Sequence, residues 1–225
     1  EALLEELQNL LGLKETPIRI ELFDNSHLQG SSPVGAMVCF LNGSPCKKMY
    51  RKCHLFEEDA GDDYHSMKEV VFRRYSRLAK ENLPLPDLIL ADGGLPQVHA
   101  TLEGLLASGV SIPVYGLYKN SKHQTEGLID SKGKTYPLNP KSPLFFLLMR
   151  MQDEVHRFAI SFHHQQRSKS MTSSLLDSIP GIGGKRKEIL QSHYPSIDAL
   201  LSSSVDELSQ ILPRKSAEAL YRKLH

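Results

Sequence analysis

Two aspartates stand where a short apolar run gives way to small or polar residues. Asp24 closes Ile18-Arg-Ile-Glu-Leu-Phe-Asp24, in which Ile18, Ile20 and Leu22 alternate with Arg19, Glu21 and Phe23, the period of a strand. Asp92 closes Leu88-Ile-Leu-Ala-Asp92 and is followed by Gly93 and Gly94. A carboxylate at the end of a buried strand costs free energy unless something pairs with it. Each is therefore either a turn-forming Asp or a metal or catalytic group. If the two strands lie side by side, both carboxylates converge on one cation. Mg²⁺ or Mn²⁺ takes carboxylate oxygens, keeps waters and binds phosphate oxygens. That is the equipment for in-line attack of water on a phosphodiester, and Gly93 and Gly94 let a phosphate backbone approach closely.

A second constellation lies near the C-terminus. Pro180-Gly181-Ile-Gly183-Gly184-Lys185-Arg186 falls between two helical patterns and places free backbone N–H groups at a helix N-terminus. Such a nest binds a phosphate without reading a base. Lys185 and Arg186 add charge, and the whole predicts helix-hairpin-helix DNA binding through Gly181, Gly183, Gly184, Lys185 and Arg186. From Arg157 to Leu176 there is no Asp or Glu, while Arg157, Arg167 and Lys169 are basic, so Arg167 and Lys169 join the expected DNA contacts. The net charge of +1 by itself argues for no partner.

The elements that must hold these groups follow from periodicity. Residues 1–12 read as an amphipathic helix stopped by Gly12. After the first strand, 34–41 and 47–55 read as two more, joined by the hairpin turn Asn42-Gly43. Residues 57–63 read as an acidic loop. A helix starting at Asp62 or Asp63 carries Met67, Val71, Tyr75 and Leu78 on one side. Strand 88–91, helix 98–106 and strand 112–117 follow, then a polar loop or small hairpin over 119–141. Ser142-Pro143 is a good start for a helix running to about Ile160. The serine-rich stretch 165–174 reads as a linker. Two helical hairpins complete the chain, the second over 205–225. The predicted domains are a helical lead-in at 1–16, an endonuclease domain at 17–164, a basic linker at 165–174 and an all-α domain at 175–225. The strand order is that of an RNase H-like α/β domain with a mixed sheet, in which the first and fourth strands are neighbours.

With 225 residues, 40% hydrophobic and 24% charged, the composition is that of an ordinary globular chain. No run approaches the roughly 20 apolar residues of a membrane span, no signal peptide is expected, and the absence of a starting Met fits a piece of a longer chain. Cys39, Cys46 and Cys53 lack close C-x-x-C pairs and are odd in number, so reduced thiols in strands are expected.

Together these residues resemble the C-terminal half of the UvrC family, the bacterial nucleotide excision repair nuclease subunit. The resemblance rests on Phe23-Asp24-Asn25-Ser26-His27, Gly61-Asp62-Asp63-Tyr64, Ala91-Asp92-Gly93-Gly94-Leu95-Pro96-Gln97, Asp153-Glu154-Val155-His156 and Pro180-Gly-Ile-Gly, all in order at family-like spacing. It implies a cytoplasmic endonuclease that incises damaged double-stranded DNA on the 5′ side of a lesion with a divalent metal, Mg²⁺ or Mn²⁺. It implies Asp24, Asp92 and His156 as the metal site and Asp63 as a further catalytic residue. A UvrB-like protein is the implied partner, through a segment that this stretch lacks. The sequence departs from the pattern at Asn25, at Leu95-Pro96 where Lys-Gly is expected, and at Pro213, which has no N–H to donate from the second hairpin. The alternative is a DNA-binding module whose nuclease fold is silent.

Overall fold

The computed structural model describes residues 2–26, 34–54 and 63–225, with the backbone alone at 25, 26, 34, 54, 63, 162–168 and 170. The chain divides into two compact units, Glu1–Ile160 and Ser161–His225. The acidic loop expected at 57–63 lies almost wholly outside the described residues, as do His27, Gly61 and Asp62 of the motifs.

In the first unit the period-2 runs pair into one mixed sheet. Strand β1 (Arg19–Ser26) runs antiparallel to β2 (Val34–Leu41), and β2 turns at Asn42-Gly43, both with positive φ, into the short β3 (Ser44–Pro45). On its other edge β1 runs parallel to β5 (Leu88–Ala91), so the first strand and the one after the long helix are neighbours as the RNase H-like order predicts. Next to β5 lies β6 (Val114–Lys119), parallel to it. The strand expected at 47–55 is broken. Residues Lys47–Met49 form a 3₁₀ turn closed by Met49 N–H to the Cys46 carbonyl, and β4 (Arg51–His54) resumes pairing on the first half of β2, opposite residues 34–37. The polar stretch 119–141 does form a hairpin, β7 (Thr125–Ile129) and β8 (Thr135–Pro137), and it extends the sheet beyond β6.

Helices cover both faces because both faces of the central strands are apolar. Helix α1 (Ala2–Leu11) and the first part of α4 (Pro143–Asp177) bury Leu4, Leu7, Leu147, Met151 and Val155 against Ile20, Leu22, Leu88 and Leu90. Helices α2 (Asp63–Lys80) and α3 (Leu95–Ser108) bury Met67, Val71, Tyr75, Val98 and Leu105 against Phe23, Met37, Ile89 and Val114. Helix α3 begins three residues earlier than its apolar pattern suggests, since Pro96 is tolerated in a first turn.

The expected linker at 165–174 is instead part of α4. No Gly or Pro interrupts the chain between Pro143 and Pro180, so its serines do not break the helix. In the second unit α4 leads through Gly181, whose φ of +87° requires glycine, into α5 (Gly184–His193). Then come α6 (Ile197–Leu201), α7 (Val205–Ser209) and α8 (Arg214–Leu224) around Leu176, Leu190, Leu208 and Leu220. Ser196 caps α6, and Ser204 with Glu207 forms a capping box on α7.

One polar residue of β1 is fully enclosed. Glu21 has no solvent exposure; it accepts two bonds from Arg74 of α2, at 2.9 and 2.8 Å, and one from the Tyr75 hydroxyl at 2.6 Å. Burial, then the Glu21 charge, pushes the Tyr75 phenol far above its ordinary range, so it stays a donor. This cluster pins α2 to the sheet. Removing one partner of a buried ion pair strands the other charge, at a cost of about 3–5 kcal/mol. Arg74→Ala is therefore expected to lower unfolding free energy in urea by that amount; a change within experimental error would remove the pair as a fastener.

Candidate metal centre

The two aspartates meet because of one register. Phe23 of β1 pairs with Ala91 of β5, so Asp24 and Asp92 are the next residues of parallel neighbours. The Asp92 N–H donates to the Phe23 carbonyl at 2.9 Å, which ties the two strand ends together. Gly116 of β6 makes space for this turn, since a Cβ there would lie 2.4 Å from the Gly93 carbonyl oxygen. Alternation along β1 places Asp24 on the face that α4 covers, opposite Phe23 and Glu21.

Helix α4 brings the third group. Its apolar stripe of Leu148, Met151, Val155 and Ala159 packs on the sheet, and Gln152 and His156 flank that stripe one turn apart. The ring N–H at His156 Nε2 donates to Asp92 Oδ2, and the same nitrogen lies 3.7 Å from Asp24 Oδ2. Gln152 Nε2 donates to the other Asp92 oxygen at 2.8 Å, and Gln152 Oε1 accepts from the Thr125 hydroxyl of β7 at 3.1 Å. Asp92 is thus oriented from both sides and its side chain is 5% exposed, against 38% for His156, which faces the opening. The hydrogen bond to Asp92 raises the His156 pKa; burial opposes it, the charges of Asp92 and Asp24 add to it, and Lys119 lowers it.

Asp24, Asp92 and His156 offer ligand atoms that all lie within 4.8 Å of one another. Two hard carboxylates and one imidazole fit a divalent cation such as Mg²⁺ or Mn²⁺, with room for waters and substrate oxygens. Beside the centre, reached past Gln152, lies a cleft of about 710 Å³ lined by Lys119, His123, Thr125, Phe145 and Met149 among others.

Of the residues expected from sequence, Asp24, Asp92 and His156 come together. Asp63 opens α2, and its side chain lies outside the described residues. In the second unit Gly181, Gly183, Gly184 and Lys185 are exposed, and a Cβ at any of the three glycines would meet nothing of the protein. Arg186 is committed inward: it donates to the Gly181 carbonyl at 2.6 Å and to the Ser216 hydroxyl of α8 at 3.0 Å. Lys169 is exposed on α4, and the Arg167 side chain lies outside the described residues. Gln152 and Thr125 were missed. The signal for Gln152 was its i, i+4 spacing from His156; nothing local marks Thr125.

A parallel strand pair ending in two aspartates, with a histidine from a covering helix and helices on both faces, defines an RNase H-like DNA endonuclease domain, here followed by helix-hairpin-helix elements. Residues 8–160 match the UvrC RNase H endonuclease domain, and residues 173–225 match the SAM-like helix-hairpin-helix tandem. The chain belongs to the UvrC family. It is 50% identical over 224 residues to UvrABC system protein C of Streptococcus equi subsp. zooepidemicus, and 47% identical over 224 residues to that of Streptococcus pyogenes serotype M5. Each comparison covers 98% of this chain, which spans 38% and 37% of those relatives. A solved Ciona intestinalis endonuclease V bound to an inosine-containing DNA matches 45% of this chain and 46% of its own, at 20% identity and a TM-score of 0.32.

The buried Gln152 has one consequence for the metal. Losing a group that orients a ligand typically costs 10–100-fold in metal affinity. Gln152→Leu is expected to weaken Mn²⁺ binding by about 10–100-fold, read from the free Mn²⁺ signal by electron paramagnetic resonance, with unfolding in urea little changed. An unaltered Mn²⁺ affinity would show that Asp92 holds its own orientation.

Proposed function

We propose that this chain is the incising portion of an excinuclease subunit, a metal-dependent endonuclease that hydrolyses a phosphodiester of damaged double-stranded DNA on the 5′ side of the lesion. The observation that carries the reading is the convergence of Asp24, Asp92 and His156 at the carboxyl ends of parallel neighbours. Asp24, Asp92 and His156 are the residues that would hold Mg²⁺ or Mn²⁺. The ion, when bound, would supply activation of the attacking water and stabilisation of the leaving oxygen. Gln152 keeps the second Asp92 oxygen turned away from the opening. Ligation needs a neutral imidazole, and the hydrogen bond to Asp92 favours the protonated ring, so a cation would compete with a proton for His156. Asp63 is assigned a catalytic part on family resemblance. Lys119 at the rim adds positive charge for an incoming phosphate.

The amides of Gly181, Gly183 and Gly184, with Lys185, Lys169 and Arg167, form the proposed DNA grip; the open space above the glycines supports it. Arg186 serves this grip by positioning the Gly181 turn, through its bonds to the Gly181 carbonyl and Ser216. The proposed boundaries are 17–164 for incision and 175–225 for the helical grip, with the basic segment 165–174 adding Arg167 and Lys169 to it. A UvrB-like partner and a bacterial cytoplasmic setting belong to this reading. No described helix is long and apolar enough to cross a membrane.

Asp92→Asn fills the same space but removes the charge that a cation needs. It is expected to reduce incision of lesion-bearing DNA by more than the roughly hundredfold typical of outer-shell losses, with DNA affinity in chelator unchanged. Incision at wild-type rate would eliminate the metal site. For the grip, Lys169→Gln with Lys185→Gln should flatten the log–log salt dependence of DNA binding by about two, near one per phosphate contact. A wild-type slope would place the grip elsewhere.

A further inference from the structure

The cleft beside the metal centre has two unlike walls. One is the face of α4 that leads to the centre. Phe145, Met149, Gln152 and His156 follow at spacings of four, three and four residues, which is one helical face. At 1.5 Å per residue, Met149 lies about 10 Å and Phe145 about 16 Å from His156 along the axis. Phe145 and Met149 are half-buried, and Pro137 and Leu138, at the end of β8, add to this apolar wall. Gln152, which donates to Asp92, lines the cleft as well, so cleft and centre share a residue.

The other wall is polar and comes from the turn between β6 and β7, with Lys119, His123, Gln124 and Thr125. Asn120 builds that turn. Its side-chain oxygen accepts from the N–H groups of Lys122 and Gln124 at 2.9 and 3.1 Å, and its carbonyl accepts from the His123 N–H at 3.0 Å. His123 is exposed and held at a φ of +60°, where glycine would sit without strain. A side chain kept at such a cost points to a use outside folding. Glu126 also lines the cleft and accepts from the Tyr118 hydroxyl. A carboxylate there repels a phosphate, so what enters is the neutral part of a nucleotide. The phosphate belongs nearer Lys119, whose charge reaches His156.

We propose that this cleft receives an unstacked base of the strand being cut, with the sugar–phosphate chain running past Lys119 to the metal centre. The proposal rests on the incision reading and adds a substrate contact to it. A base fits because it presents apolar faces and a polar edge together. Phe145 and Met149 meet a face, and His123, Gln124 and Thr125 meet the edge. Inside a duplex both faces are covered by neighbouring bases, so the occupant has left the stack. The volume, about 710 Å³, lies within the roughly 300–1,000 Å³ of small-molecule sites.

The methyl resonance of Met149, in the chain labelled at its methionine methyls and kept in chelator, reports on the cleft. It needs no cutting, so failure of the metal-site reading leaves this test standing. The titrants are a short single-stranded oligodeoxyadenosine and, separately, an abasic strand of the same length. The first is expected to shift the Met149 signal to saturation; the second, lacking bases, is expected to leave it in place. Phe145→Ala removes a stacking face and should weaken the oligodeoxyadenosine response by about tenfold. His123→Gly should weaken it as well, with unfolding in urea little changed, since glycine adopts that backbone freely; it carries the test should Phe145→Ala not fold. Equal shifts with both strands, no shift with either, or an unweakened response in the folded variants overturns the proposal.

Discussion

Two like charges at adjacent strand ends are the constraint around which the first unit is arranged. Parallel pairing of β1 with β5 leaves no freedom in where Asp24 and Asp92 emerge. Within 4.8 Å, two full charges repel by at least roughly 3.5 kcal/mol at an effective dielectric of about 20. The protein answers with fixed donors. The Asp92 amide is tied to the Phe23 carbonyl, Gln152 takes one Asp92 oxygen and His156 the other. The remaining imbalance is what a divalent cation would neutralise, so the stability problem and the chemistry share one cause.

Helix α4 can supply both Gln152 and His156 because its apolar stripe fixes its rotation against the sheet. A helix free to roll would lose both contacts together. Gly116 adds a second condition, since any side chain there would push the turn that follows Asp92. The centre thus depends on packing two layers deep, and its precision comes from residues that never meet a substrate.

Much of this was legible in sequence where one local rule governed. The strand-end aspartates, the Asn42-Gly43 hairpin and the apolar stripes of α2 and α4 all follow from period and turn chemistry. His156 was reached through its motif, because a histidine on a helix carries no local sign of its target. The rest depended on distant partners. Glu21 alternates with Ile20 and Leu22 and carries no local sign of burial, yet Arg74, 53 residues on, encloses it. Over 119–141 a small hairpin and a polar loop could not be told apart in sequence, because an edge of a sheet needs few apolar residues. The stretch 165–174 read as a linker because serine content was weighed above the absence of Gly and Pro. Thr125 acts only through Gln152, and no spacing within either segment announces that.

Strand β1 carries two acids on opposite faces, and they are treated differently. Glu21 is neutralised for good by an arginine of the same chain, whereas Asp24 is left in a cluster that opens to solvent through His156. Because that permanent partner is built in, the α2 face of the sheet is fastened whether or not a cation sits on the other face. A cation taken up by Asp24, Asp92 and His156 would then be an exchangeable reagent, and an experimenter could swap it for a spectroscopically visible ion on a scaffold that has not been refolded in between.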